Sequence, residues 1–231
     1  MCSTINASTT VIRLTLAAVL VLSATPTADA TDDGNSRSAE SKPDSESWEP
    51  LFDGKTLAGW HPVGDGKWTV ENGVIVGRAH KEKLYGLLFS DKEFGDFTVR
   101  FKFKVLAGDS GFYIRTVFQE PDQAHGNQVQ VGLRGSGVGG VYESYGRGWV
   151  DKPSDELQER ILKDGEWNDM IISAEGGDIV VHVNGTKTAE LKDDPGRQTG
   201  HFALQMHSGN EMHLMFKGIE VCRGSQRQVQ D

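Results

Sequence analysis

The chain has almost no cysteine. Cys2 lies at its extreme start and only Cys222 lies in the body. Once a leader is removed, no disulfide can form within the chain, so stability has to come from packing. Cys222 falls in an apolar strand pattern, which predicts a buried, unreactive thiol. Long apolar runs are missing too. The best of them, Val11–Leu22, is interrupted by Arg13 and Thr15 and is too short to span a bilayer. Positive charge is in deficit, with 24 Lys and Arg against 33 Asp and Glu and a net charge of −9. That balance argues against a nucleic-acid partner. No P-loop and no Gly-x-Ser-x-Gly elbow occurs, and Ser110 has no neighbour pattern that would activate it as a nucleophile. The stretch Gly135–Gly140 spells a dinucleotide-binding pattern, but no βαβ context surrounds it.

The ends of the chain read as non-globular. Residues 1–30 have the apolar core of an export signal, and Ala28-Asp29-Ala30 fits a small-x-small cleavage site. Residues 31–47 carry Asp, Ser, Glu and Lys with no large apolar side chain, a composition that cannot order itself by burial. The expected organisation is a signal peptide over 1–30, a disordered linker over 31–47, one globular domain over 48–224 and a tail over 225–231. The expected location is secreted or periplasmic, with no membrane contact after cleavage.

Within the body the period-2 signal dominates. Phe97, Val99, Phe101, Phe103 and Val105 alternate with Thr98, Arg100, Lys102 and Lys104, the pattern of a half-buried antiparallel strand. Asn72-Gly73 and Asn184-Gly185 each separate two such runs and predict two-residue hairpin turns. Further strands are expected over 86–90, 111–116, 128–133, 169–174, 201–206, 212–216 and 219–221. The only helix candidate is 154–162, with Ser154 as its cap. Many short strands separated by turns predict an all-β sandwich in a single domain. The Gly-rich stretch 134–153 is expected to be an irregular functional loop containing Tyr142, Tyr145 and Trp149.

Alternation also sorts the polar residues. If Phe112 and Ile114 point inward, Tyr113 and Arg115 point outward together; the same logic turns out Gln128 and Gln130, and His201, Gln205 and His207. Phenol, guanidinium, amide and imidazole groups on one face would form a planar hydrogen-bonding platform suited to sugar hydroxyls. His207 is the acid–base candidate. His201, His207, Glu211 and His213 lie close together in sequence, which leaves a divalent metal open, although their spacing matches no closed-site signature. No organic cofactor is called for.

An ordered set of motifs carries a resemblance. Leu51-Phe52-Asp53-Gly54-Lys55-Thr56-Leu57, Gly59-Trp60, Trp68–Ile75, Leu87–Phe97, Asp109–Arg115, Gly165–Asn168, Val183–Gly185 and Gly200–His207 together resemble the 3-keto-disaccharide hydrolase family. The likeness spans about residues 48–222. It implies a concanavalin A-like jelly-roll sandwich acting on 3-keto-glycosides, with a carbohydrate as partner. In such a sugar the C3 ketone acidifies the C2 proton. A base removes that proton, the C1 substituent leaves by β-elimination, and water adds afterwards, so the net reaction is hydrolysis. The resemblance makes His207 the expected base and Arg115 the expected oxyanion or hydroxyl ligand. Gln130 and Gln205 would orient the sugar, with Tyr113, Gln128 and Tyr142 beside them, and Lys92 would be a second cation. Where family members commonly read Glu-Val-Gln-Ile-x-Asp, this chain has Gln128-Val129-Gln130-Val131-Gly132-Leu133. Glu143 is then the expected stand-in carboxylate. The alternative function is a non-catalytic, lectin-like carbohydrate-binding module on the same sandwich.

Overall fold

A computed structural model describes residues 47–80, 85–207 and 211–223. The expected signal peptide, the linker up to residue 46 and the tail lie outside the described residues. In chain order the strands are β1 (Glu49–Pro50), β2 (Trp60–Gly64), β3 (Lys67–Glu71), β4 (Val74–His80), β5 (Gly86–Phe94), β6 (Phe97–Ala107), β7 (Ser110–Gln119), β8 (Gln123–Val131), β9 (Val141–Ser144) and β10 (Gly148–Asp151). The short helix α1 (Asp155–Ile161) follows, and then β11 (Asn168–Glu175), β12 (Asp178–Val183), β13 (Thr186–Leu191), β14 (Gly200–Met206) and β15 (Glu211–Arg223).

The strands form two antiparallel sheets. One has the order β13-β12-β11-β6-β15-β4-β3, with β1 added on β15; the other has the order β10-β9-β8-β7-β14-β5-β2. The sheets meet face to face, as the alternating patterns require. Phe97, Val99, Phe101, Phe103 and Val105 from β6 are buried against Phe112 and Ile114 from β7 and against Phe202, Leu204 and Met206 from β14. Phe101 stacks on Phe112 at 4.4 Å and Phe94 on Phe202 at 4.2 Å. Each such side chain contributes about 1.5–3 kcal/mol by leaving water.

Both Asn-Gly turns form. Asn72 and Gly73 have φ of 50° and 80°, and Asn184 and Gly185 have 49° and 78°, the left-handed pair that a type I′ turn needs. Ser154 caps α1 by accepting from Leu157 N. No helix among the described residues is long and apolar enough to cross a membrane.

The structure corrects several expectations. Residues 134–153 are not irregular throughout, because β9 and β10 form a hairpin there. Their four-residue length and the glycines around them hide the alternation. The two last expected strands are one, β15, which is interrupted by a register shift between Lys217 and Glu220 around Gly218 at φ 60°. The edge strand β2 carries Pro62, tolerated at an edge because no ladder donor is required there. Cys222 is half-buried rather than buried, since the inward position on β15 is taken by its neighbour Val221.

Candidate functional site

The seven-stranded sheet is covered on both faces at its centre. Its inner face joins the main core, and on its outer face Leu87, Phe89, Tyr113, Ala124 and Ala203 form a second buried apolar group. Beside that group the outer face opens into a cleft of about 750 Å³. The floor is a row of cross-strand partners: Tyr142 on β9 faces Gln128 on β8, Gln128 faces Tyr113 on β7, and Tyr113 faces Ala203 on β14. Partners in an antiparallel ladder share a face, so registration alone brings these side chains together.

Glutamine amides pave the floor. Gln128 Nε2 donates to Gln130 Oε1 at 2.7 Å, and Gln130 Nε2 donates to Asp109 Oδ1 at 2.6 Å. Gln205 Nε2 donates to Tyr113 Oη at 3.1 Å, and Tyr113 Oη is 2.9 Å from Ser144 Oγ. Gln205 Oε1 is buried without a hydrogen-bond partner, a state that costs free energy until a donor reaches it. Two glycines make the floor flat enough for this. A Cβ on Gly111 would stand 2.3 Å from Gln128 Cγ, and one on Gly132 would stand 2.6 Å from Asp109 Oδ1.

Asp109 and His207 converge at one end of the floor, where His207 N donates to Asp109 O at 3.4 Å. Burial pushes the Asp109 carboxyl above the usual carboxylate range, and the Gln130 hydrogen bond and the nearby His207 charge only partly oppose it. Burial also pushes the Tyr85 phenol up to about 12, and it drives Tyr113 well above the ordinary phenol range. Both phenols therefore keep their protons at neutral pH. Across the cleft, Glu143 accepts from Arg147 N at 3.1 Å and from Arg147 Nε. Arg147 also donates to both oxygens of Asp194, at 2.7 and 2.9 Å. These carboxylates, Glu143 before Asp194, hold the Arg147 guanidinium firmly charged.

His207, Glu143, Tyr113, Gln128, Gln130, Gln205 and Tyr142 all line this cleft. Arg115 and Lys92 do not. Arg115 has φ of 48° in a register shift between Ile114 and Val117, so the alternation that turns Tyr113 to the outer face fails two residues later. Its guanidinium is buried and donates to Gly95 O, Gly176 O and Asp96 Oδ1 at 2.9, 2.6 and 3.1 Å. Lys92 is exposed on β5 and pairs with Glu49 at 2.7 Å. His201 also lies outside the cleft, held to Ser90 O at 2.8 Å. Among the described residues no group of three or more His, Cys, Asp or Glu is placed to hold a metal.

Sequence reasoning missed Asp109, Tyr85 and Arg147, and placed Trp149 only within the expected functional loop. Asp109 stood in plain view in Asp109-Ser110-Gly111, next to the small residue that lets a neighbouring side chain lie flat. Ser110 is structural, because its Oγ donates to Gln205 O at 2.6 Å.

Comparison with known proteins agrees with the fold. Residues 47–222 match the model of the 3-keto-alpha-glucoside-1,2-lyase-like domain. Comparison with curated proteins finds no match. A candidate glycosyl hydrolase from Parabacteroides distasonis ATCC 8503 aligns with a TM-score of 0.57 at 20% identity, covering 77% of this chain and 94% of that one. A Bacillus subtilis protein of unknown function with a galectin-like fold aligns at 0.60 and 12% identity, covering 78% and 96%. The carbohydrate-binding module CBM66 from Bacillus subtilis aligns at 0.51 and 15% identity, covering 71% and 95%. The sandwich is thus galectin-like and concanavalin A-like.

Proposed function

This chain belongs to the 3-keto-alpha-glucoside-1,2-lyase-like domain family, and on that premise we propose that its cleft takes a glycoside already oxidised at C3 and breaks the C1–O bond by elimination. The observation that carries the reading is the Asp109 carboxyl, raised by burial, beside His207. The reaction needs a base for the C2 proton and an acid for the leaving oxygen, and two groups in different environments suit such a division.

His207 takes the proton from C2, and its electron pair passes into the C2–C3 bond as the C3 carbonyl becomes an enolate. Tyr85 and Tyr113, both still protonated, are phenol donors lining the cleft in which that oxygen develops charge. The enolate then collapses, C1=C2 forms and C1–O breaks. Asp109 gives the leaving oxygen its proton, favoured by the raised carboxyl. Water can add back to the product, with hydroxyl to C1 and proton to C2, which makes the net result hydrolysis. The floor amides of Gln128, Gln130 and Gln205 orient the ring hydroxyls, and a hydroxyl donating to Gln205 Oε1 satisfies that buried acceptor. Arg115 takes no part, because its donors are committed to backbone carbonyls. Export under the leader of residues 1–30 would place this activity in the periplasm or outside the cell.

The test is release of a chromogenic leaving group from a 3-keto-glucoside. Wild type is expected to release it, and His207→Ala and Asp109→Asn are each expected to lose at least about a hundredfold in rate, as for removal of a general acid or base. The neutral amide floor also favours a second reading, a lectin-like module. Saturable sugar binding with no release by wild type would decide for it.

A further inference from the structure

The row of cross-strand partners does not stop at Tyr142. Trp149 on the edge strand β10 is the partner of Tyr142, so Trp149, Tyr142, Gln128 and Tyr113 form one continuous rank across four strands. Strands lie about 4.8 Å apart. Trp149 therefore stands roughly 14 Å from the Tyr113 strand, three spacings away. Trp149 thus lines the far side of the same cleft as Asp109, Gln205 and His207. A cleft of about 750 Å³ lies in the upper part of the range that holds drug-sized ligands, about 300–1,000 Å³.

Trp149 is also built to stay where it is. A Cβ on Gly137 would come 2.6 Å from its Cη2, and one on Gly140 would come 2.9 Å from its Cζ3. The absent side chains at both glycines let the indole edge lie against the backbone. The Gly137 turn is itself pinned, because buried Gln158 Oε1 accepts from Gly137 N at 2.9 Å and Val138 N at 3.0 Å. Tyr142 meets the indole nearly at right angles at 5.4 Å, and Lys152 Nζ is 5.2 Å from its centre. Yet 41% of Trp149 remains exposed. The indole is thus held in place with a large apolar surface open on the side of the cleft.

We propose that Trp149 is a specificity-determining residue, the wall on which the leaving group of the glycoside packs. It selects for leaving groups that present a ring face, whether the C–H face of a second sugar or the π face of an aryl group. Small alcohols gain nothing from it. The inference rests on the reading of the cleft as a 3-keto-glycoside site.

The experiment compares wild type, Trp149→Ala and Trp149→Phe on methyl, aryl and glucosyl 3-keto-glucosides, with melting temperatures for all three proteins. Trp149→Ala is expected to lose about tenfold in kcat/KM, mostly through KM, on the aryl and glucosyl substrates. It is expected to stay within about twofold of wild type on the methyl substrate, while Trp149→Phe retains most of the discrimination. The difference between aryl and glucosyl losses tells which ring the wall fits. Equal losses on all three substrates, or no loss on any, would overturn the proposal. If wild type cleaves none of them, the elimination reading has failed separately. Calorimetric titration with the glucosyl compound then judges the wall: weaker binding by Trp149→Ala than by wild type upholds it, and unchanged binding sinks it.

Discussion

Gln130 donates to the Asp109 carboxylate at 2.6 Å while its other amide end accepts from Gln128 at 2.7 Å. Both ends of the Gln130 amide are thereby committed, and its orientation is fixed. The short chain Gln128–Gln130–Asp109 holds the carboxyl against the Gly132 backbone at the end of the floor where His207 arrives. An amide, unlike a cation, positions the carboxyl without locking it in its ionised form, so burial dominates and raises its pKa.

That raised carboxyl has a consequence for stability. A carboxyl whose folded-state pKa lies above its unfolded value favours folding at low pH and loses that contribution as pH rises through the folded pKa. Asp109→Asn keeps an acceptor for Gln130 and removes the buried charge. The melting temperature of the variant relative to wild type is therefore expected to be higher at pH 7 than at pH 3, although activity falls. Thermal denaturation at the two pH values checks it; the opposite trend would mean that the carboxyl is not held up by burial.

Arg115 and Lys92 separate structure from function. Arg115→Ala removes the guanidinium donor from the carbonyls of Gly95 and Gly176 and leaves Asp96 Oδ1 with Gly176 N as its remaining donor. The expected cost is about 3 kcal/mol. Lys92→Ala removes an exposed pair with Glu49 and is expected to cost less than about 1 kcal/mol. Urea unfolding measures both. Neither position lines the cleft, so sugar affinity of folded protein should be unchanged in each.

Gln158 is fully buried in α1 and holds the Gly137 turn. Gln158→Leu orphans two buried amides, at an expected cost of about 2–3 kcal/mol. Because that turn supports Trp149, the variant should also show increased hydrogen exchange at Gly137 and Val138. Protection equal to wild type would show that another contact holds the turn.

Gly111→Ala tests the flatness of the floor. Its Cβ would collide with Gln128 Cγ, so Gln128 must swing away from Gln130. Loss of one sugar-orienting contact is expected to raise the apparent Kd or KM about fivefold, the effect of about 1 kcal/mol. An unchanged value would remove Gln128 from the binding surface.

Much of this was legible in the chain. The alternation of Phe97–Val105 follows from the two-residue period of a strand, and the hairpin turns from the left-handed tolerance of Asn-Gly. The outward set Gln128, Gln130, Gln205 and His207 followed from the same period, and the register placed all four in one cleft. Alternation misplaced Arg115, because one residue at positive φ ends it and no neighbouring residue type announces it, and it brought in His201, which a register shift before Ala203 separates from the cleft. It failed again over 134–153, where two four-residue strands, set among glycine-rich turns, are too short to show a period.

The sequence by itself determined the strands, the tight turns and the inward or outward sense of each regular side chain, because these depend on local backbone geometry and hydrophobic alternation. Only the tertiary structure decided which strands are neighbours. It set Asp109 beside His207 and Trp149 in rank with Tyr113, and it buried Arg115 among backbone carbonyls. Those outcomes depend on cross-strand register, a bulge and missing Cβ atoms. Each of these is a relation between distant segments that no local pattern encodes.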